Sequence, residues 1–220
     1  MRIRCKPWAR PELEKSDFFI PEPDNMRGKW QETFKKEQPI WLEVGCGKGG
    51  FISQIAPCHP EINFIAMDIK NEMLVLAKRK IESAYKERNL DFGNIRIAIK
   101  NISEIENTFD KCDDVEKIFI NFCNPWPRRK HKKRRLTHPR QLEQYLSFLK
   151  SNGEIVFKTD DDDLFYESMI YFYNCGFNIK FRSFDIFKNP PKFEDYKTEH
   201  EKMFESEGKS IKMLVAVNNK

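Results

Sequence analysis

Twelve residues, Ile40 to Phe51, leave this chain few ways to fold: I-W-L-E-V-G-C-G-K-G-G-F. Ile40, Trp41, Leu42 and Val44 form the short apolar run of a strand buried in a parallel sheet. Glycines follow at 45, 47, 49 and 50, where the backbone can turn sharply and approach a ligand closely. Phe51, Ile52 and Ile55 then take up helical spacing. A strand, a glycine turn and a helix start together make a nucleotide-type site, although a plain turn after a core strand has the same outline.

The string Gly45-Cys46-Gly47-Lys48-Gly49-Gly50 satisfies G-x-G-x-x-G, a weak signal by itself. Glu43 sharpens it. A carboxylate at the strand's end repels a pyrophosphate and suits a ligand that carries an ammonium and a sulfonium. S-adenosylmethionine answers that description better than NAD does.

The downstream chain repeats strand and helix. Ile62–Met67 reads as a second strand ending on Asp68, about twenty residues past the glycines, where a carboxylate can accept both ribose hydroxyls of an adenosine or cap the next helix. Asn71–Arg88 carries apolar residues at helical spacing. Ile95–Ile99 is a third strand ending near Asn101, whose amide can pair with an adenine edge or cap a turn. Val115–Asn121 is a fourth. This alternation predicts a doubly wound, mostly parallel sheet with its ligands beyond the carboxyl ends of the strands, where Glu43, Asp68, Asn101 and Asn124 all fall.

The fourth strand runs into N-F-C-N-P-W-P (121–127), stiffened by two prolines and offering Trp126 as a stacking face. The run R-R-K-H-K-K-R-R (128–135) follows without an acidic or apolar residue. Concentrated like charge at the ligand edge of a sheet invites a polyanion, although a charge run is often only a solvated face. Leu136–Lys150 is expected to be a helix with Leu149 on its inner side, and Glu154–Lys158 a fifth strand. Asp161–Asp163 suit the cap and first turn of the next helix, which leaves Asp160 for substrate. Phe177–Phe181 and Ile211–Val217 read as a closing antiparallel pair, with a polar loop between them that holds Thr198, Glu199, His200 and Glu201. Residues 1–39 read as an arm with a short helix near Trp30–Phe34 that caps the sheet, and 40–220 as the main domain. In the arm Arg2, Arg4, Lys6 and Arg10 either touch phosphate or form a solvated basic terminus.

The net charge of +5 is modest and unevenly distributed. The six cysteines form no C-x-x-C pair and the four histidines lack ligand spacing, which argues against a zinc site or a disulfide framework and suits a reducing cytoplasm. The apolar stretches are strand-length, so no membrane span is expected, and the N-terminus has no apolar signal core.

K-P-W-A-R near the start, E-V-G-C-G-K-G, P-W-P with its basic run ending R-R-L-T, T-D after the fifth strand and T-E-H-E near the end together resemble the bacterial tRNA (guanine-N7-)-methyltransferases over nearly the whole chain. The resemblance implies a seven-stranded class I methyltransferase fold, monomeric or homodimeric, methylating a variable-loop guanosine. It implies that Glu43, Gly45, Gly47, Asp68 and Asn101 bind S-adenosylmethionine and that Arg128, Asp160, Thr198, Glu199 and Glu201 hold the tRNA guanosine. The family usually has Asp where this chain has Asn124, a position regarded as both cofactor-facing and catalytic. His200 stands where Tyr is common, and Asp68 where Glu is.

Guanine N7 carries a free lone pair and no proton, so its methylation needs alignment rather than a general base, and an amide at 124 is compatible with that chemistry. Two other readings stay open. Asn124-Pro125-Trp126 is near the N-P-P-[YW] loop of amino-methyltransferases, although the second proline is missing. A non-catalytic RNA-binding module on the same scaffold is the other reading, against which the retained Glu43, Asp68 and glycine turn argue. Cys123 as a nucleophile for cytosine C5 is a further enzymatic alternative.

Overall fold

The computed structural model describes residues 6–193 and 195–219. Arg2 and Arg4 of the expected basic terminus lie outside the described residues. In chain order the elements are α1 (Ala9–Leu13), β1 (Phe19–Ile20), β2 (Ile40–Val44), α2 (Ile52–Ile55), β3 (Asn63–Asp68), α3 (Asn71–Glu87), β4 (Ile95–Ile99), β5 (Val115–Asn121), α4 (Pro139–Phe148), β6 (Leu149–Thr159), α5 (Asp162–Asn174), β7 (Phe177–Ser183), α6 (Glu199–Ser206) and β8 (Lys212–Asn218), with short 3-10 turns between several of them.

The strands form one sheet in the order β1-β4-β3-β2-β5-β6-β8-β7. All neighbours from β1 to β6 are parallel. β8 runs antiparallel to both β6 and β7. Alternate residues of the central strands point to opposite faces, as the two-residue period of a strand requires. Leu42, Val44, Ile65, Ile118 and Ile120 join the core under α4 and α5, together with Trp30 and Phe109. Phe64, Ala66, Phe119 and Val156 join the core under α1 and α3.

Several boundaries differ from the sequence expectation. The sheet has eight strands rather than seven, because Phe19 and Ile20 pair with Ile97 and Ala98 at its edge. A two-residue strand has no periodicity to read, and Pro21 directly after it has no N–H to extend the ladder. α2 is a single turn, because Pro57 follows in a 3-10 turn. The helix expected over 136–150 begins at Pro139, with His138 as its cap and proline in the first turn. Leu149 does not sit on that helix: it opens β6, opposite Val115. The expected polar loop at 198–201 is the start of α6. Thr198 Oγ1 accepts from Glu201 N at 3.1 Å and Glu201 Oε2 accepts from Thr198 N at 2.6 Å, a reciprocal capping box. Of the stretch near Trp30, residues Trp30–Thr33 form a 3-10 turn whose buried indole donates to Thr108 O at 2.8 Å.

Candidate active site

From β2 the chain crosses to β3 and β4 on one side and then returns to β5 on the other. The carboxyl ends of β2 and β5 therefore flank the switch point of the sheet, where a crevice must open. Glu43 lies near the end of β2 and Asn121 ends β5; Asn121 Nδ2 donates to Glu43 Oε1 at 3.3 Å. Burial pushes the Glu43 carboxyl from 4.5 up to about 8, with the Asn121 hydrogen bond opposing the shift and the Asp68 charge adding to it. Glu43 Oε2 and Asn121 Oδ1 are both buried without a hydrogen-bond partner among the described residues. With Glu43 ionised, two neighbouring buried acceptors in that state are costly until a donor arrives. A ligand ammonium is such a donor.

The crevice has two halves. One, of about 450 Å³, is lined by Glu43, Lys48, Asn121, Thr198, Glu199 and His200. The other, of about 680 Å³, is lined by Asp68, Asn101, Asn124, Trp126, Arg134 and Arg140. Gly45 and Phe122 belong to both walls, so the halves meet between them.

The glycine turn frames this junction. Gly47 has φ +54°, and a Cβ there would meet nothing within 4 Å, so the turn presents bare backbone to open space. Gly49 is glycine for a different reason: a Cβ there would lie 2.6 Å from Ala77 of α3. Asp68 is held from two sides, its Oδ2 by Gly47 N at 3.0 Å and its Oδ1 by Lys70 N at 2.9 Å. Burial still raises its pKa against those two hydrogen bonds. Asn101 caps the next turn through its oxygen, which accepts from Ser103 N and Oγ, so the donor end of its amide is left for a ligand.

The loop after β5 is tightly specified. Phe122 and Trp126 have φ +50° and +44°, left-handed conformations that persist in bulky residues only where the surroundings impose them. Asn124 Oδ1 accepts from Trp126 N at 3.1 Å, and the Trp126 ring contacts both the His131 ring and the Arg134 guanidinium. Burial pushes the Cys123 thiol up to about 12, which removes it as a nucleophile at neutral pH.

Glu43, Gly45, Gly47, Thr198 and Glu199 are thus brought together in one half of the crevice, and Asp68, Asn101 and Asn124 in the other. Arg128 and Asp160 are exposed and line neither half. Glu201 is fully buried and turned inward, with Oε1 accepting from Lys158 Nζ at 2.9 Å. Sequence reading missed Asn121, Phe122 and Lys158. Lys158 left a signal, since a single cation in the apolar strand I-V-F-K-T needs a buried counter-charge.

A family profile described as "Putative methyltransferase" matches residues 37–214. The chain is 54% identical over 219 residues to a tRNA (guanine-N(7)-)-methyltransferase of Clostridium beijerinckii, which covers 100% of both chains. It is 51% identical to the enzyme of that name from Acetivibrio thermocellus, covering 98% of this chain and 99% of the relative.

The chain belongs to the tRNA (guanine-N7-)-methyltransferases.

Among solved structures, a 16S rRNA methyltransferase superposes with a TM-score of 0.61 at 11% identity, covering 86% of this chain and 91% of that one, a likeness of fold. S-adenosylmethionine is the methyl donor of this methyltransferase family, and the donor set fits it: an orphaned carboxylate and amide oxygen for its ammonium, and a carboxylate at the second strand end for its ribose. Among the described residues no cluster of His, Cys, Asp and Glu has the makings of a metal site, and no helix is long and apolar enough to cross a membrane.

Proposed function

We propose that methyl transfer from S-adenosylmethionine to guanine N7 of tRNA takes place where the two halves of the crevice meet, beside Gly45 and Phe122. The observation that carries this reading is the pair of buried, unsatisfied acceptors on Glu43 and Asn121 at the switch point. These two hold the cofactor's ammonium. Asp68 takes the ribose, Asn101 the adenine edge, and the backbone at Gly45 and Gly47 lies beneath.

The cofactor supplies a methyl group on a sulfonium, which a lone pair can accept without any proton being removed. The protein's task is then alignment, a contribution of up to about 7–11 kcal/mol. Asn124 donates its amide N–H groups to guanine O6 or to the cofactor's methionine end while its oxygen holds the Trp126 turn. Glu199 and His200 form the facing wall, His200 being stacked on Phe122 with ring centroids 5.3 Å apart. We assign Thr198 and Glu201 to holding the helix that presents those two residues. Asp160 and Arg128 act from outside the crevice, Asp160 through its charge on the purine ring as that ring becomes cationic, and Arg128 on phosphate. Free thiols at Cys46, Cys58, Cys112, Cys123 and Cys175 suit the cytoplasm, where we place the chain.

The test is incubation of unmodified tRNA with the protein and methyl-labelled S-adenosylmethionine, followed by digestion to nucleosides. Label is expected in 7-methylguanosine; label in methyladenosine or methylcytidine would overturn the reading. Asn124→Asp should change kcat by less than about tenfold, because loss or gain of a general base typically moves rates by about 10²–10⁴. A larger gain with a carboxylate pH profile would show that a base is at work.

A further inference from the structure

The basic run 128–135 holds seven Lys and Arg residues, and not all of them face outward. Arg135 is 1% exposed. Its Nε donates to Pro125 O at 2.6 Å and its Nη1 to Glu167 Oε2 at 2.7 Å. Lys132 Nζ donates to the other oxygen, Glu167 Oε1. Tyr171, one turn along α5, donates its hydroxyl to Glu167 Oε2 at 2.9 Å. Burial raises the Glu167 pKa, but these donors outweigh it and hold the carboxyl below its usual range. One carboxylate on α5 therefore gathers three donors, two of them cations of the run.

The consequence reaches the crevice through Arg135. A buried guanidinium needs a compensating charge, and its planar fork fixes both of its partners at once. Here the fork joins Glu167 to the carbonyl of Pro125, between Asn124 and the left-handed Trp126. That turn lines the larger half of the crevice. Next to it, Thr137 Oγ1 and Ser168 Oγ lie 2.6 Å apart, a second tie between the chain after the run and α5.

We propose that Glu167 is a positioning residue for methyl transfer: through Arg135 it fixes the Pro125 carbonyl and the Asn124–Trp126 turn, and it withdraws Lys132 and Arg135 from the charge offered to tRNA. This rests on the reading that the run faces RNA. It separates two effects that simple electrostatics would merge. Removing a carboxylate beside a polyanion site raises local positive charge, which by itself tightens binding. Loss of positioning slows chemistry, because a shift of about 1 Å in an aligned site can cost about 10²-fold.

The experiment compares the parent with Glu167→Ala, Glu167→Gln and Tyr171→Phe. It measures tRNA affinity across a salt series, S-adenosylmethionine affinity, and single-turnover methyl transfer at saturating tRNA. For Glu167→Ala we expect a rate about 10–10²-fold lower at saturation. We also expect unchanged cofactor affinity, tRNA affinity no weaker than the parent's, and a salt slope steeper by about one unit per freed cation. Tyr171→Phe, which keeps the charges, keeps the fold testable and should give a smaller rate loss with an unchanged slope. A parental rate at saturating tRNA in Glu167→Ala would overturn the proposal. So would weaker tRNA binding whose rate recovers fully at saturation, since the run would then be organised for binding alone. Alanine at Arg129, Lys130 and Lys133 tests the underlying reading separately: an unchanged salt slope there rejects the RNA-facing run whatever Glu167 does.

Discussion

Glu43 is a carboxyl held largely neutral near pH 7, because burial raises its pKa from 4.5 to about 8. The sign of the linkage follows. A folded-state pKa above the unfolded one contributes stability that is complete below about pH 4.5 and is lost as pH rises through about 8. A cationic ligand reverses the preference by favouring the ionised form. S-adenosylmethionine binding near pH 7 should therefore release a proton, visible as a calorimetric enthalpy that changes with the buffer's ionisation heat. In Glu43→Gln the release should vanish and the affinity should fall. An equal proton count in the variant would assign the release to another group. The placement of Glu43 and Asp68 at or next to strand ends was legible in the sequence, because a carboxylate after an apolar run marks a strand end. Thr198 and Glu201 also have a structural role that the sequence expectation did not include. T-x-x-E is the spacing of a capping box, and here both side chains engage the backbone of their own helix.

α6 closes the crevice because Lys158 holds it. Lys158 is 1% exposed, and its Nζ donates to Asp195 Oδ1 at 2.6 Å, to Asp195 Oδ2 at 2.8 Å and to Glu201 Oε1 at 2.9 Å. Its own carbonyl accepts from Phe122 N at 2.9 Å, so one residue of β6 touches both walls that meet at the His200–Phe122 stack. Glu199 adds an ion pair to Lys80 of α3, and Gln54 donates to Lys197 O at 3.0 Å. Lys158→Met would leave the buried Glu201 carboxylate and the half-buried Asp195 carboxylate without their cation, a loss of about 3–5 kcal/mol in urea unfolding. Glu201→Gln, which can keep the cap, should lose less. Equal losses would mean that the triad is not what holds the helix. At this scale β4 and β5 matched the bounds expected from sequence, because apolar strands announce themselves. α3 also kept its expected start at Asn71, whereas α4 and α6 did not follow expectation, since Pro139 delays the one and a capping box starts the other where a loop was expected.

Over the whole molecule the doubly wound plan could be read from alternation and spacing, whereas the allocation of charge could not. A sequence shows cations side by side and does not show which of them meet a carboxylate from another helix. Arg128, Arg129, Lys130 and Lys133 are exposed, while Lys132 and Arg135 converge on Glu167. Alanine at the first four should weaken tRNA binding and flatten its salt slope by about one unit per residue. Lys132→Ala should change that slope least, and a contribution equal to the others would show that its pair with Glu167 opens on tRNA. The strand order carries a consequence in time. β8, residues 212–218, lies between β6 and β7, so β7 emerges from the ribosome before the strand that joins it to the sheet exists. Lys212 on that late strand donates to Asp160 O at 2.9 Å and pairs with Asp162. The growing chain can thus set out the strand ends that carry Glu43, Asp68 and Asn121 early, while the wall supplied by α6 and the Asp160 turn waits for the last part of the chain to emerge.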